Sequence, residues 1–370
     1  MANSVGSRQD NASGFSDFGY INVRIRGMSQ RLISQTDLER LVKMKKLEEI
    51  EGFLQNSDYA ADIKELSRDI NFSGPRISLL ENALQHNLVK SFQRIRGLLA
   101  GEPLELYLAV IAPLEIYNVK TLLRGCRRKT PPEQIYDSLL PVGRLKAAQL
   151  KELSQLTDSR RIVSEILAHG LLYIGEIEKH LDSYYYSNKL NEIEHALDLC
   201  QYEYMTSVAN RQASKKNYKL LMDYNQLLVD LANIRLILKL AVGRISQSES
   251  VKYFIPGGKK ISRSDYMDMV FLADPNRILK KLLSIDICQP LEKRMIRFKE
   301  SNDISLFDRS LTAGLLTRLR NFSKYDPLGL SVMLRYIESK QAEVVNLRVV
   351  MNACLFEMPE KMAKEELVFG

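Results

Sequence analysis

The chain is short of the residues that usually build chemistry into a sequence. Its 370 residues include four histidines, His86, His169, His180 and His195, with no H-E-x-x-H spacing to hold a metal. The four cysteines, Cys126, Cys200, Cys288 and Cys354, lie far apart with no C-x-x-C pair. They read as free thiols in a reducing, cytoplasmic compartment rather than as a zinc or disulfide framework. No P-loop, G-x-G-x-x-G or nucleophile elbow occurs; Gly257-Gly258-Lys259-Lys260 lacks the P-loop frame and follows no strand. The chain therefore reads as carrying no catalytic, cofactor-binding or metal-binding residues. Long apolar runs are missing too. LAVIAPL, Leu108 to Leu114, is far short of the roughly 18 residues a membrane span needs, and Arg348 interrupts the C-terminal run. The first 17 residues, MANSVGSRQDNASGFSD, lack a signal peptide's apolar core and read as a disordered polar tail ending by residue 18.

What remains is ordinary globular composition, 45% hydrophobic and 26% charged, enough for more than one core. The net charge of +8 favours acidic partners. The basic clusters at 43–46, 124–129 and 257–260 are short and not interleaved with aromatics, which argues against nucleic acid. The run Tyr184-Tyr185-Tyr186 is a candidate partner hot spot, though such a run is more often half core and half surface on a helix.

Against these absences stands a repeat. EIYNVKTLLRG begins at Glu115, DLANIRLILK at Asp230 and EVVNLRVVMN at Glu343. Each has an acid, then Asn three residues on, then a base two further: Glu115, Asn118 and Lys120; Asp230, Asn233 and Arg235; Glu343, Asn346 and Arg348. The asparagines are 115 and 113 residues apart. An earlier marker recurs in register, with its acid at Glu81, Glu194 and Asp308. LLPVGR (139–144) and FIPGGK (254–259) share Pro-x-Gly-basic at the joints; the first unit instead starts at ISQTDLERL with a helix cap at Thr36 or Asp37. Three markers in one order with a period of about 114 imply three tandem copies of one domain, at 19–140, 141–255 and 256–370.

The periodicity between markers is helical and turn residues are sparse, so each unit should be an antiparallel helical bundle. On the motif helix, Ile116, Val119 and Leu123 form a stripe, matched by Leu231, Ile234 and Leu238 and by Val344, Leu347 and Met351. The acid and Asn lie to one side and the base to the other. One expectation pairs each base with the recurring acid of the upstream helix, so that Arg348 and Asp308 would couple. Pro113 should kink or split the first motif helix, and His195 should be an exposed helix residue. A polar triad in three serial copies points to fold maintenance more than to a site.

YINVRIRGMSQRLIS (20–34), NVKTLLRG (118–125), the Pro-x-Gly joints and EVVNLRVVMNACLFEMPEKM (343–362) together resemble the C/d subunit family of V-type and A-type rotary ATPases, from about residue 19 onward. That resemblance implies an all-α protein of three similar bundles in a pseudo-threefold funnel. It further implies a peripheral, non-catalytic subunit, one copy per complex, on the cytoplasmic face of a proton- or sodium-translocating ATPase or ATP synthase. There it would join the membrane rotor ring of proteolipid subunits to the central stalk and transmit torque. The competing reading is a triplicated helical adaptor for acidic proteins.

Overall fold

The computed structural model describes residues 18–68, 74–181, 190–272, 274–288 and 304–370. The polar tail through residue 17 and the tyrosine run at 184–186 lie outside them. Residue 18 already belongs to the first helix.

The described chain is all-α, with no strand. Helix α1 (Phe18–Ser29) is followed by three short helices, α2 (Gln35–Leu41), α3 (Leu47–Leu54) and α4 (Ala60–Leu66), and by the long α5 (Arg76–Leu98). The chain then turns into α6 (Gly101–Val110) and α7 (Ala112–Arg128), which carries the first motif. Short helices α8 (Pro132–Asp137), α9 (Ala147–Ser154) and α10 (Ser159–Ala168) and a 3-10 turn (Leu172–Ile177) lead to a second long pair, α11 (Leu190–Gln212) and α12 (Lys215–Ala241). Then come α13 (Gln247–Lys252), α14 (Arg263–Val270), α15 (Pro275–Leu283), the long pair α16 (Ile304–Tyr325) and α17 (Leu330–Leu355), and α18 (Glu360–Glu366). Motifs two and three lie on α12 and α17.

Local chemistry explains the breaks. Pro113 cannot donate to the carbonyl one turn back, so what is a single helix in α12 and α17 divides at Ile111 into α6 and α7, 46° apart. The first short helix is capped by Ser34, whose Oγ accepts the Asp37 amide, ahead of the expected Thr36 or Asp37. All three motif helices end alike. A left-handed residue, Lys129, Gly243 or Glu357, turns the chain. The next amide then bonds back five residues, Thr130 to Gly125, Arg244 to Lys239 and Met358 to Ala353.

Every residue of the three motif stripes is buried. At roughly 1.5–3 kcal/mol per large apolar side chain, these stripes are a main source of packing energy. One apolar cluster joins α7 to residues 135–200, so the core crosses the joint at Pro141. A larger cluster runs from Ile21 through α5, α6, α12, α16 and α17. The long helices pack in cyclic order: α7 on α11, α11 on α12, α12 on α16, α16 on α17, and α17 back on α1 and α5. No single described helix is long and apolar enough to cross a membrane. The bent pair α6–α7 passes by length and composition, but Leu106 to Ala112 are buried within the protein.

Candidate functional site: three polar clasps and the concave face between them

Each motif asparagine is buried and makes the same clasp. Its amide Nδ2 donates to a main-chain carbonyl and its Oδ1 accepts the N–H of that same residue, always 22 positions on. Asn118 holds Leu140 (2.7 and 2.8 Å), Asn233 holds Ile255 (2.8 and 3.0 Å) and Asn346 holds Val368 (2.9 and 2.7 Å). A side-chain amide is the one group that imitates a strand partner to an extended residue, satisfying a buried donor and acceptor together. This is why the position is Asn in all three copies.

The acids hold the chain a few residues further along. Glu115 accepts the Arg144 amide at 2.5 Å, the Arg144 guanidinium at 3.1 Å and the Tyr173 hydroxyl at 3.1 Å. Tyr173 stacks on Tyr204 at 4.4 Å, and Arg144 lies over the Tyr204 ring at 4.9 Å. Asp230 accepts three successive amides, Lys259, Lys260 and Ile261, at 2.9–3.1 Å. The two lysine amides of the Gly-Gly-Lys-Lys run are thus occupied by the protein's own carboxylate. Glu343 accepts the Ile33 amide at 2.5 Å, the Tyr59 hydroxyl at 2.6 Å and the Lys340 ammonium at 2.6 Å. Tyr59 stands 114 residues before Tyr173 and does the same work. Where Arg144 supplies the cation for Glu115, Ile33 has none to offer, and Lys340, buried one turn before Glu343, takes that place.

Burial pushes the Glu115 carboxyl above the usual range, opposed by the Arg144 charge, the Arg144 amide and the Tyr173 hydroxyl. It does the same to Asp230 against its three amides. A carboxyl raised in the folded state binds protons more readily there than when unfolded. These two groups therefore contribute stability at pH below the ordinary carboxyl values, lost as pH rises through the raised ones.

The joints are glycine for a steric reason. A Cβ on Gly143 would overlap the Glu115 carboxylate, and one on Gly258 would overlap Asp230. Gly258→Ala should therefore cost about 1–3 kcal/mol in chemical denaturation, by overpacking a carboxylate that cannot retreat without losing its amides. Gly52→Ala, on an open helix face in α3, is the control and should be neutral or slightly stabilising.

The bases do not pair as expected. Arg348 reaches Glu81 of α5 at 2.8 Å, not Asp308; Asp308 belongs to Arg235, at 2.8 Å. Lys120 reaches Asp198 at 2.6 Å, while Glu194 is held by both nitrogens of Arg124 at 2.6 Å. Each base thus reaches forward to the long helix of the following segment, and the third reaches round to the first. The preceding long helices α11 and α16 also pack on α12 and α17, but the acid within reach of each base comes from the following segment instead. An Arg348→Met and Glu81→Gln cycle should show a coupling of about 0.5–1 kcal/mol, the size of a half-exposed ion pair. Arg348→Met with Asp308→Asn should be additive.

His195 is half-buried, not exposed. Its ring sits 5.2 Å from Tyr253, and burial lowers its pKa. His86, for which the sequence suggests no ligand partners, clusters with Asp62 and Glu65 closely enough to suit a metal. Lys90 already supplies the positive charge there, 3.0 Å from Asp62 and 2.8 Å from Glu65.

The residue before each motif Asn (Tyr117, Ala232, Val345) and the bases Lys120 and Arg235 line two adjoining concavities, of about 490 and 300 Å³. These share Pro113, Leu228 and Arg235. Tyr117 and Val345 are exposed there, 42% and 39%. Arg144, the base of the first Pro-x-Gly joint, completes one clasp, and Tyr173, Tyr59 and Lys340 complete the clasps without standing out in the sequence. The tyrosines do leave a signal, because they keep the repeat's register; Lys340 has no counterpart in the other copies.

The buried polar groups fasten one helix arrangement three times, and the third fastening closes on the chain's own beginning, which defines an all-α protein of cyclic internal plan. Comparison with known proteins gives the family. The sequence profile of the ATP synthase (C/AC39) subunit matches residues 21–366, and the chain belongs to that family. Among its relatives, the C subunit of the A-type ATP synthase of Methanosarcina acetivorans is 26% identical over 363 residues, covering 96% of this chain and 94% of that one. That of Methanococcoides burtonii is 25% identical over 363 residues, 95% and 94% of the two chains. The Methanothermobacter thermautotrophicus relative is 24% identical over 352 residues, 95% and 87%.

Proposed function

We propose that this chain is the non-catalytic coupling subunit of an A/V-type, proton- or sodium-translocating rotary ATPase or synthase. It would be a socket, one copy per complex, holding the foot of the central stalk on the ring of membrane proteolipids at the cytoplasmic face and passing torque between them. The observation that carries the reading is closure. The third motif bonds to Ile33, Tyr59 and Glu81, residues 310, 284 and 267 positions earlier, so the chain is fastened end to beginning. A part that transmits torque needs such stiffness and needs no reactive group. The three tandem units at 19–140, 141–255 and 256–370, arranged as a pseudo-threefold funnel, suit a cyclic partner. The concave face exposes Tyr117 and Val345 for contact with a stalk.

On this reading the joints face the ring. Photo-crosslinkers at Gln134 and Ser248, in the assembled complex in native membranes, should capture the ring proteolipid, and one at Tyr117 should capture a stalk subunit. Ring crosslinks only from the opposite end, at Tyr325, would reject the orientation. Crosslinks to neither ring nor stalk from any position would reject the socket.

A further inference from the structure

Helices α1, α16 and α17 meet at a pocket of about 560 Å³ that the clasps do not use. Every ionisable side chain on its wall except Tyr336 is a cation: Arg26 from α1, Arg320 and Lys324 from α16, Arg335 from α17. None of these four is within ion-pair distance of a carboxylate among the described residues; the Arg26 guanidinium donates only to the Pro327 carbonyl. Carboxylates elsewhere on the described surface do take cations, as at Lys216–Asp326 and Lys260–Asp286. Four like charges lining one hollow repel one another, and no carboxylate among the described residues forms an ion pair with them. Three of the four are arginines, whose planar forks match tetrahedral oxyanions better than a lysine does. The floor is closed by Tyr336, 3% exposed, with Ser339 beside it. The volume is that of a small-ligand site rather than of a groove for a helix.

We infer that this pocket binds a compact polyanion carrying two or more adjacent phosphates. The ligand is either a free polyphosphate, such as the tail of a nucleotide, or the headgroup of a multiply phosphorylated lipid. Because all four cations are exposed, they can be replaced without disturbing the core.

The test is titration calorimetry of the purified full chain with inorganic triphosphate at about 0.1 M salt, where unspecific surface attraction is largely screened. One saturable site per chain is expected. Arg320→Ser with Arg335→Ser should weaken it at least about tenfold, the loss of two charge-assisted contacts. Lys43→Ser with Lys45→Ser, the same change in net charge at another exposed cluster, should leave affinity within about twofold. Sedimentation with vesicles containing a lipid of two or more headgroup phosphates runs in parallel. Binding to vesicles but not to triphosphate, lost in the Arg320/Arg335 pair, supports the pocket with a membrane source. The inference is overturned if neither probe saturates, if both pairs weaken binding equally, or if polyglutamate competes as well as triphosphate.

Discussion

Replacing Asn233 with alanine should lower the unfolding free energy by about 2–4 kcal/mol, the largest effect expected of any uncharged substitution here. Asn233 is fully buried, and its amide is the partner of both the Ile255 N–H and the Ile255 carbonyl. Alanine loses two hydrogen bonds and leaves a donor and an acceptor in the core with no water to take them. Ile255 itself is 2% exposed, so relaxation toward solvent is blocked. Asn233→Asp separates hydrogen bonding from packing. It keeps the shape but turns the Nδ2 donor into an oxygen facing the Ile255 carbonyl. It should cost as much as alanine at neutral pH and recover part of the loss in acid, where the protonated carboxyl can donate. Denaturant midpoints across that pH range decide the matter. If Asn233→Asp is as stable as wild type at neutral pH, the bidentate clasp is not what holds the joint.

Lys340→Met should be still more damaging, about 3–5 kcal/mol, because it strands a charge. Lys340 is 1% exposed; its ammonium touches the Glu343 carboxylate at 2.6 Å and the Tyr59 hydroxyl at 3.1 Å, and lies over the Tyr59 ring at 4.4 Å. Without it, the buried Glu343 carboxyl loses its cation and sits beside a tyrosine whose hydroxyl burial already holds far above its usual pKa. Glu343 cannot turn to solvent, since its other oxygen holds the Ile33 amide. Pairing the change with Glu343→Gln should recover a good part of the loss, because the neutral amide oxygen still accepts the Ile33 N–H while its Nε2 can donate to the Tyr59 hydroxyl oxygen. A single Lys340→Met variant of near wild-type stability would mean that the buried Lys340–Glu343 contact does not fasten α17 to the first segment. Because the pair joins α17 to the first segment, protection of amides in both should fall together in hydrogen exchange.

The period of about 114, the buried stripe on each motif helix and the break at Pro113 are all legible in residue spacing and backbone chemistry. The recurring Asn, acid and glycine are visible there as a pattern, but their roles are not. A clasp between Asn118 and Leu140 is a statement about where the chain returns after a joint, and helical periodicity carries no such information. The bases show the limit most clearly. Sequence order points Arg348 at Asp308 in the preceding helix, whereas the cyclic packing delivers Glu81 from the far end of the chain. Lys340 is hidden for another reason. It replaces a function that Arg144 performs in a different place, so no alignment of the repeats marks it.

The proposed coupling of a rotor ring to a stalk is open to direct test. Its most direct test is an affinity pull-down of the tagged full-length chain from detergent-solubilised native membranes, washed at moderate salt, with mass spectrometry of what remains. The expected result is recovery of a small membrane proteolipid together with stalk and nucleotide-binding subunits. Recovery of soluble acidic proteins alone, with no proteolipid, would contradict it.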